Sequence, residues 1–387
     1  MSEHLDETIS VLENLVGFDS ISLRPTAPIV TFIQNYLAEQ EIEATLSFEE
    51  TGERSNVFAT IGPKVDGGVV LSGHFDVVPV DGQDWSSDPF ILTRREDRLY
   101  GRGSVDMKGF LACVLGSVPV FKAADLKKPI HIAFSFDEEV GGFGMPVLLD
   151  AMEQNTYRPE IVIVGEPTNM KLITGHKGGY EMRTEIIGQA VHSSNPLLGV
   201  NAISAATKLI AKIEEIAART AAAPFPDSPF EPPYCTFNIG TIEGGSATNA
   251  TAGWCNFKWE FRPMPGEDGE QYVDEVKAYA ANELLPPMKA VFPDADVRII
   301  TETPVPALDN SNAAKAASFV SEITGINSQD VVSFGTDAGY FSDAGISTVV
   351  FGPGDIDRAH KEDEFIKVSE LQQGLDFLEK VAQRLSR

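Results

Sequence analysis

The chain has 387 residues, more than one hydrophobic core usually organises, so its length predicts two domains. Hydrophobic residues make up 43% and charged residues 22%, which excludes a disordered or fibrous chain. Acids outnumber bases 57 to 30, a formal net charge of -27, and such a field repels phosphate backbones and anionic lipid, so neither nucleic acid nor a membrane is expected as a partner.

The first residues, Met1 to Asp6, are polar and acidic, with His4 expected to be exposed, and no apolar export segment opens the chain. No apolar run reaches the roughly 18 residues of a membrane span. Cys113, Cys235 and Cys255 lie far apart in apolar contexts without metal or redox spacing, so reduced buried thiols and a cytoplasmic location are expected.

Leu5, Ile9, Leu12 and Val16 recur at helical spacing, and Ile29, Phe32, Ile33, Tyr36 and Leu37 mark a second helix. Short apolar runs of the buried-strand type follow. Val69-Val70-Leu71-Ser72-Gly73 runs into His74, and Ile130 to Phe136 runs into Asp137-Glu138-Glu139. Ile161 to Val164 runs into Gly165-Glu166, and Thr348 to Phe351 into Gly352-Pro353-Gly354. Helical stretches such as Phe110 to Lys122 separate them. This alternation predicts an α/β domain with a mostly parallel sheet, where ligands gather beyond the carboxyl ends of the strands. Residues 180 to 301 read differently. A strand at Glu181 to Ile187 precedes a helix with Val200, Ile203, Leu209, Ile210 and Ile213 on one face. Strands at Cys235 to Ile239 and Trp254 to Phe261 follow, then a helix from Gly269 to Leu284 and a strand at Val297 to Thr301. The order β-α-β-β-α-β is that of a ferredoxin-like α+β domain, interrupted by an exposed Pro-rich loop from Pro224 to Pro233. The expected organisation is a catalytic domain of residues 1–179 and 302–387 with a second domain, 180–301, inserted into it.

Six histidines are present: His4, His74, His131, His176, His192 and His360. His74 and Asp76 form His-x-Asp at a strand end, a pattern that also suits an Asp-capped turn. Asp106 sits in the glycine-dense Gly101-Arg102-Gly103-Ser104-Val105-Asp106-Met107-Lys108-Gly109, where it is equally suited to capping a helix. The adjacent Glu138 and Glu139 follow a core strand, where they lose solvation and repel each other unless cations neutralise them. Glu166 follows another such strand, and His360 lies in a loop after the last one. Two His and four carboxylates, without thiolates, suit zinc, cobalt or manganese. They exceed one tetrahedral shell and fit two ions bridged by a carboxylate. His131, inside an apolar strand, reads as a core residue. His176 and Lys177 lie at the domain junction, where a hinge or an approach to substrate is open.

Together, Ser72-Gly73-His74-Phe75-Asp76-Val77-Val78-Pro79, the 100–109 loop, Asp137-Glu138-Glu139-Val140-Gly141-Gly142, Gly165-Glu166-Pro167-Thr168 and the late histidine resemble the di-zinc aminoacylase and deacylase family of metallohydrolases. The resemblance implies two divalent ions, zinc or cobalt. One would be held by His74 and Glu166, the other by Glu139 and His360, and Asp106 would bridge them. It implies that Asp76 hydrogen-bonds the far nitrogen of His74 and that Glu138 accepts a proton from the attacking water, held between the ions as hydroxide. His192 would steady the oxyanion in the active site of a partner subunit, so a homodimer with a lid and dimerisation domain is expected. Arg262 and Asn249 would bind the substrate carboxylate, or Asn249 the oxyanion. Gly335 to Phe341 and Gly352 to Phe365 look closer to the acetylornithine deacetylase branch than to the desuccinylases, although Asp337 stands where Glu is expected. The implied reaction is removal of acetate from N2-acetyl-L-ornithine in arginine biosynthesis. A desuccinylase, dipeptidase or carboxypeptidase is the alternative. Asp337 and Asp355 are candidate partners for the ornithine ammonium.

Overall fold

The computed structural model describes residues 3–154 and 157–387. They divide into two compact units, one of residues 1–176, 308–331 and 336–387, the other of 177–307 and 332–335.

The larger unit is built on an eight-stranded sheet. Its order is Ala44–Phe48, Ser55–Ile61, Ile130–Ser135, Val69–His74, Ile161–Val164, Ser347–Val350, Ile173–His176, Asp330–Val332. The four strands from Ile130–Ser135 to Ser347–Val350 are parallel, and all are buried along their whole length. This is the α/β architecture expected, with antiparallel strands added at the flanks. Leu71, Ile132, Ile163 and Val349 join one core with Leu111, Val114, Val320 and Leu375 from the helices Lys108–Gly116, Ala314–Thr324 and Val368–Leu385. Gly144–Glu153 and Ala338–Asp343 also pack on the sheet. A wholly apolar strand is stable here because helices cover it, so no face needs to be polar. The parallel strands end at one edge of the sheet, where His74 lies level with Ser135. A small sheet pairs Phe365–Lys367 with Arg98–Tyr100, which brings the chain's late loop beside the 101–107 loop. The helix expected from Phe110 to Lys122 is two, Lys108–Gly116 and Val118–Ala123. His4 is half-buried rather than exposed.

The second unit has a four-stranded antiparallel sheet in the order Thr236–Gly244, Trp254–Arg262, Gly179–Ile187, Asp296–Val305. In chain order that is 2-3-1-4, the ferredoxin-like arrangement. The helices Ala202–Ala221 and Glu270–Tyr279 pack on the sheet, with Leu209, Ile213, Phe257, Phe261, Val273 and Val276 in the core. Ile203 lies outside that core and is exposed, because the buried stripe runs through Ala202, Ala206, Leu209, Ile213 and Ile216. The second helix stops at Tyr279, widens into a π-helical turn at Ala280–Leu284, and continues as Leu285–Val291. The Pro-rich loop is largely exposed but buries Phe230.

Candidate metal centre

His74, Asp106, Glu138, Glu139, Glu166 and His360 converge beyond the carboxyl ends of the parallel strands. The side chain of Asp106, 6% exposed, stands between two groups. Its Oδ1 lies 3.2 Å from His74 Nε2, which is 3.6 Å from Glu166 Oε1. Its Oδ2 lies 3.2 Å from His360 Nε2, which is 2.9 Å from Glu139 Oε2. Each oxygen of one carboxylate therefore faces its own imidazole and glutamate. Glu138 Oε2 approaches His74 Nε2 to 3.9 Å. Ligand atoms of His74, Asp106 and Glu139, and likewise of His74, Glu138 and Glu166, lie within 4.8 Å of one another.

The electrostatics of this cluster are severe. Burial pushes the carboxyls of Glu138 and Glu166 well up, Glu139 to about 7 and Asp337 to about 6, with neighbouring acids adding to the rise and His74 opposing it. Burial opposes a charge on His74, but Asp106, Asp76, Glu138 and Glu166 outweigh it and raise its pKa. Contacts with Asp106 and Glu139 lift His360 to about 10. Asp106 resists its burial and is held below the usual carboxylate range by His360 and His74. Glu166 Oε1 is buried with no hydrogen-bond partner among the described residues. Such a set is costly to bury without positive charge. Its oxygen and imidazole donors fit divalent zinc, cobalt or manganese, so the residues present suit a pair of such ions.

The supports explain the convergence. The carbonyl of Asp76 lies 3.0 Å from His74 Nδ1, and when it accepts that N–H the Nε2 lone pair is left facing Asp106 and Glu166. The Asp76 carboxylate also lies 3.5 Å from Nδ1. That carboxylate accepts the backbone N–H groups of Glu138 and Glu139, at 3.0 and 3.2 Å, and the Ser22 hydroxyl at 2.7 Å. It holds the short turn that presents both glutamates. The Tyr340 hydroxyl donates to the Gly141 carbonyl at the other end of that turn. Asp337 is buried in the same surroundings and accepts from Ser135 Oγ, while its Oδ1 has no described hydrogen-bond partner. Asp355 caps the turn at Ile356–Arg358 and lies beside Arg358.

One supporting residue went unrecognised in the sequence. Glu364 is buried, and its Oε1 accepts the N–H groups of Val105 and Asp106 at 3.0 and 3.2 Å. In the sequence it ends the acidic run Glu362-Asp363-Glu364, which reads as solvated; only the strand that follows sets it apart.

His192, Asn249 and Arg262 belong to the second unit. His192 and Asn249 are exposed neighbours: His192 bridges Ala250, and Ser193 N–H donates to the Asn249 carbonyl. The Ser194 N–H donates to His192 Nδ1 at 3.2 Å, and the Ser194 hydroxyl lies 2.8 Å from the same nitrogen, so both contacts fall on Nδ1. Arg262 ends the strand Trp254–Arg262 and lies 3.1 Å from Glu260, whereas Asn249 precedes that strand's first residue. At about 3.4 Å per residue the strand separates them by roughly 25 Å, so one copy of the unit cannot offer both to one carboxylate. The buried Lys177 donates to the carbonyls of Pro232 and Tyr234 at 2.7 and 2.9 Å, which binds the Pro-rich loop to the second unit rather than offering an ammonium to substrate. His131 is buried in its strand, stacked on Phe58 and bonded to Thr60 Oγ1.

Residues 70–384 match the model of Peptidase family M20/M25/M40. The chain belongs to this family. It is 35% identical to the acetylornithine deacetylase of Myxococcus xanthus over 96% of its own length and 95% of that protein. It is 34% identical to the acetylornithine deacetylase of Proteus mirabilis over 95% and 94%. Among solved structures, an M20 family metallo-carboxypeptidase from Sulfolobus solfataricus superposes with a TM-score of 0.76 over 100% of both chains at 20% identity. A dinuclear metal-binding M20 peptidase from Bacillus subtilis superposes with 0.65 over 98% and 97% at 17% identity. As an M20 member the chain is a metallohydrolase, and its larger unit carries the acid- and imidazole-lined centre described above. Among the described residues no helix is long and apolar enough to cross a membrane.

Proposed function

We propose that the chain is a di-metal amidohydrolase that removes the acetyl group from N2-acetyl-L-ornithine, giving L-ornithine and acetate as a step in arginine biosynthesis. The observation that carries this reading is the buried Asp106 carboxylate, whose two oxygens each face a separate His and Glu. His74, Glu166 and Asp106 Oδ1 would hold one ion, and His360, Glu139 and Asp106 Oδ2 the other, with zinc preferred and cobalt also suited. Such ions, when bound, acidify water toward a pKa of about 7 and polarise an amide carbonyl.

The chain's own residues then do the proton work. Glu138, beside His74 and outside the two ligand sets, accepts the proton of the attacking water and returns it to the departing amine. Asp76 keeps Glu138 and Glu139 in register through their backbone N–H groups. The Nε2–H of His192 suits the developing oxyanion, and the neighbouring Asn249 can share that role. Arg262 offers a planar fork to the substrate α-carboxylate. The strand that parts Asn249 from Arg262 supports a homodimer in which His192 and Asn249 complete the partner's site. Asp337, buried beside the centre with no hydrogen-bond partner for Oδ1 among the described residues, is the candidate counter-charge for the ornithine ammonium.

The test is a substrate panel. The protein, loaded with zinc or cobalt, is assayed on N2-acetyl-L-ornithine, N-acetylmethionine, N-succinyl-diaminopimelate and a dipeptide, each with and without chelator. We expect the highest kcat/KM on acetylornithine and loss of turnover with chelator. A higher value on the succinyl substrate or the dipeptide would reassign the specificity, and turnover unaffected by chelator would remove the metal mechanism.

A further inference from the structure

Two residues of the centre lie in loops rather than directly after a parallel strand. Asp106 lies in the 101–107 loop, and His360, its side chain 53% exposed, lies in the loop after the last parallel strand with a left-handed φ of 62. From the first of these loops Arg102, 1% exposed, reaches the second. Its Nη1 donates to Glu364 Oε2 at 2.6 Å and to the Lys361 carbonyl at 3.4 Å, and its Nη2 donates to Gln83 Oε1. The other oxygen of Glu364 takes the Val105 and Asp106 N–H groups. Gln83 Nε2 in turn donates to the His360 carbonyl at 2.9 Å. One guanidinium thus reaches the backbone of Asp106 through Glu364 and the backbone of His360 through Gln83.

We propose that Arg102, Glu364 and Gln83 form a latch that sets the spacing between Asp106 and His360, and with it the affinity of the ion position these two share with Glu139. They are positioning residues, and the inference rests on the reading of Asp106 and His360 as ligands. A buried ion pair is a poor device for stability alone, since packed apolar side chains of equal volume do as well or better. A planar, five-donor fork is the group that can meet three acceptors drawn from two other segments of the chain, the loop of Lys361 and Glu364 and the loop of Gln83. Groups that orient metal ligands in this way typically change affinity by about 10–100-fold when removed.

The experiment titrates chelated protein with cobalt, reading stoichiometry, affinity and the visible cobalt spectrum, for the wild type, Gln83→Ala, Arg102→Lys and His360→Ala. Circular dichroism and the melting curve of the chelated forms show whether each variant folds. Gln83→Ala, which removes a half-buried amide only, keeps the test open should Arg102→Lys fail to fold. We expect Gln83→Ala and Arg102→Lys to weaken one of two cobalt ions by about 10–100-fold, with altered absorption and the other ion unchanged. Native affinity and spectrum for both ions in Gln83→Ala, alongside loss of one ion in His360→Ala, would overturn the latch. Two ions bound normally by His360→Ala would overturn the ligand reading itself, and the latch with it.

Discussion

Glu138 differs from its neighbours in its reach. His74 and His360 each stand 3.2 Å from an oxygen of Asp106, Glu139 lies 2.9 Å from His360 and Glu166 3.6 Å from His74, whereas Glu138 stands 3.9 Å from His74 and within 4.8 Å of Glu166. A carboxyl placed at the rim of a cation pair is suited to moving a proton rather than to holding a charge. We expect Glu138→Gln to bind two ions as the wild type does and to lose kcat by about 100- to 10,000-fold, read by metal analysis and steady-state kinetics on one preparation. Near-normal kcat in a fully loaded variant would assign the base elsewhere. At this scale His74, Glu138, Glu139 and Glu166 were legible because each ends or closely follows an apolar strand, where an acid or imidazole has little reason to be unless something compensates it, whereas Asp106 and His360 lie in loops and were marked by motif. The second duty of Asp76 was less legible: His-x-Asp suggests the carboxylate beside Nδ1, where it lies 3.5 Å away with the backbone carbonyl at 3.0 Å, but not that the same carboxylate holds the Glu138 turn. Arg102 and Glu364 could not be paired from local pattern, because an arginine among glycines and a glutamate in an acidic run both look solvated. Only the pairing of Phe365–Lys367 with Arg98–Tyr100 brings them together.

Close approach between elements sets what the strand ends can tolerate. Gly165 sits between the strand Ile161–Val164 and Glu166, and a Cβ built there would lie 2.1 Å from Cδ1 of Phe110 and 2.3 Å from its Cε1. Phe110 is itself 1% exposed in the helix Lys108–Gly116, so its ring has no room to retreat. Gly165→Ala should therefore displace Glu166 or the helix, at a cost of roughly 1–3 kcal/mol or more. The check is a lower urea midpoint together with weaker metal binding. An unchanged midpoint would mean that Phe110 repacks freely. The element pattern was legible wherever apolar periodicity was strong, in the four parallel strands and in the β-α-β-β-α-β order. It misled on the helix after Gly269, which widens at Ala280–Leu284 before the Leu285-Pro286-Pro287 step. It also misled at Ile203, where alanines rather than the larger side chain make the packed stripe.

For the molecule as a whole, the charge cluster links acidity to metal binding. In chelated protein Glu139 is held up to about 7, against an ordinary value of 4.5. Between those values the folded state keeps a proton that the unfolded state gives up. That contribution is present below about 4.5 and is lost as pH rises through about 7. Ions replace the proton, so their stabilisation must grow as the carboxyls deprotonate. We expect the difference in Tm between loaded and chelated protein to widen from pH 5 to pH 8; a constant or shrinking difference would separate these carboxyls from the ions. The homodimer has its own measurement. Inactive His192→Ala and Glu138→Ala chains, mixed and refolded together, should recover part of the activity, whereas demonstrated mixed dimers without activity would place His192 in its own chain's site. The larger unit is drawn from chain segments on both sides of residues 177–307, so His360 is synthesised long after Asp106, Glu138, Glu139 and Glu166. On the proposed ligand set, a chain halted before His360 would carry the acids without the second imidazole, and cation capture would report that translation had passed that residue.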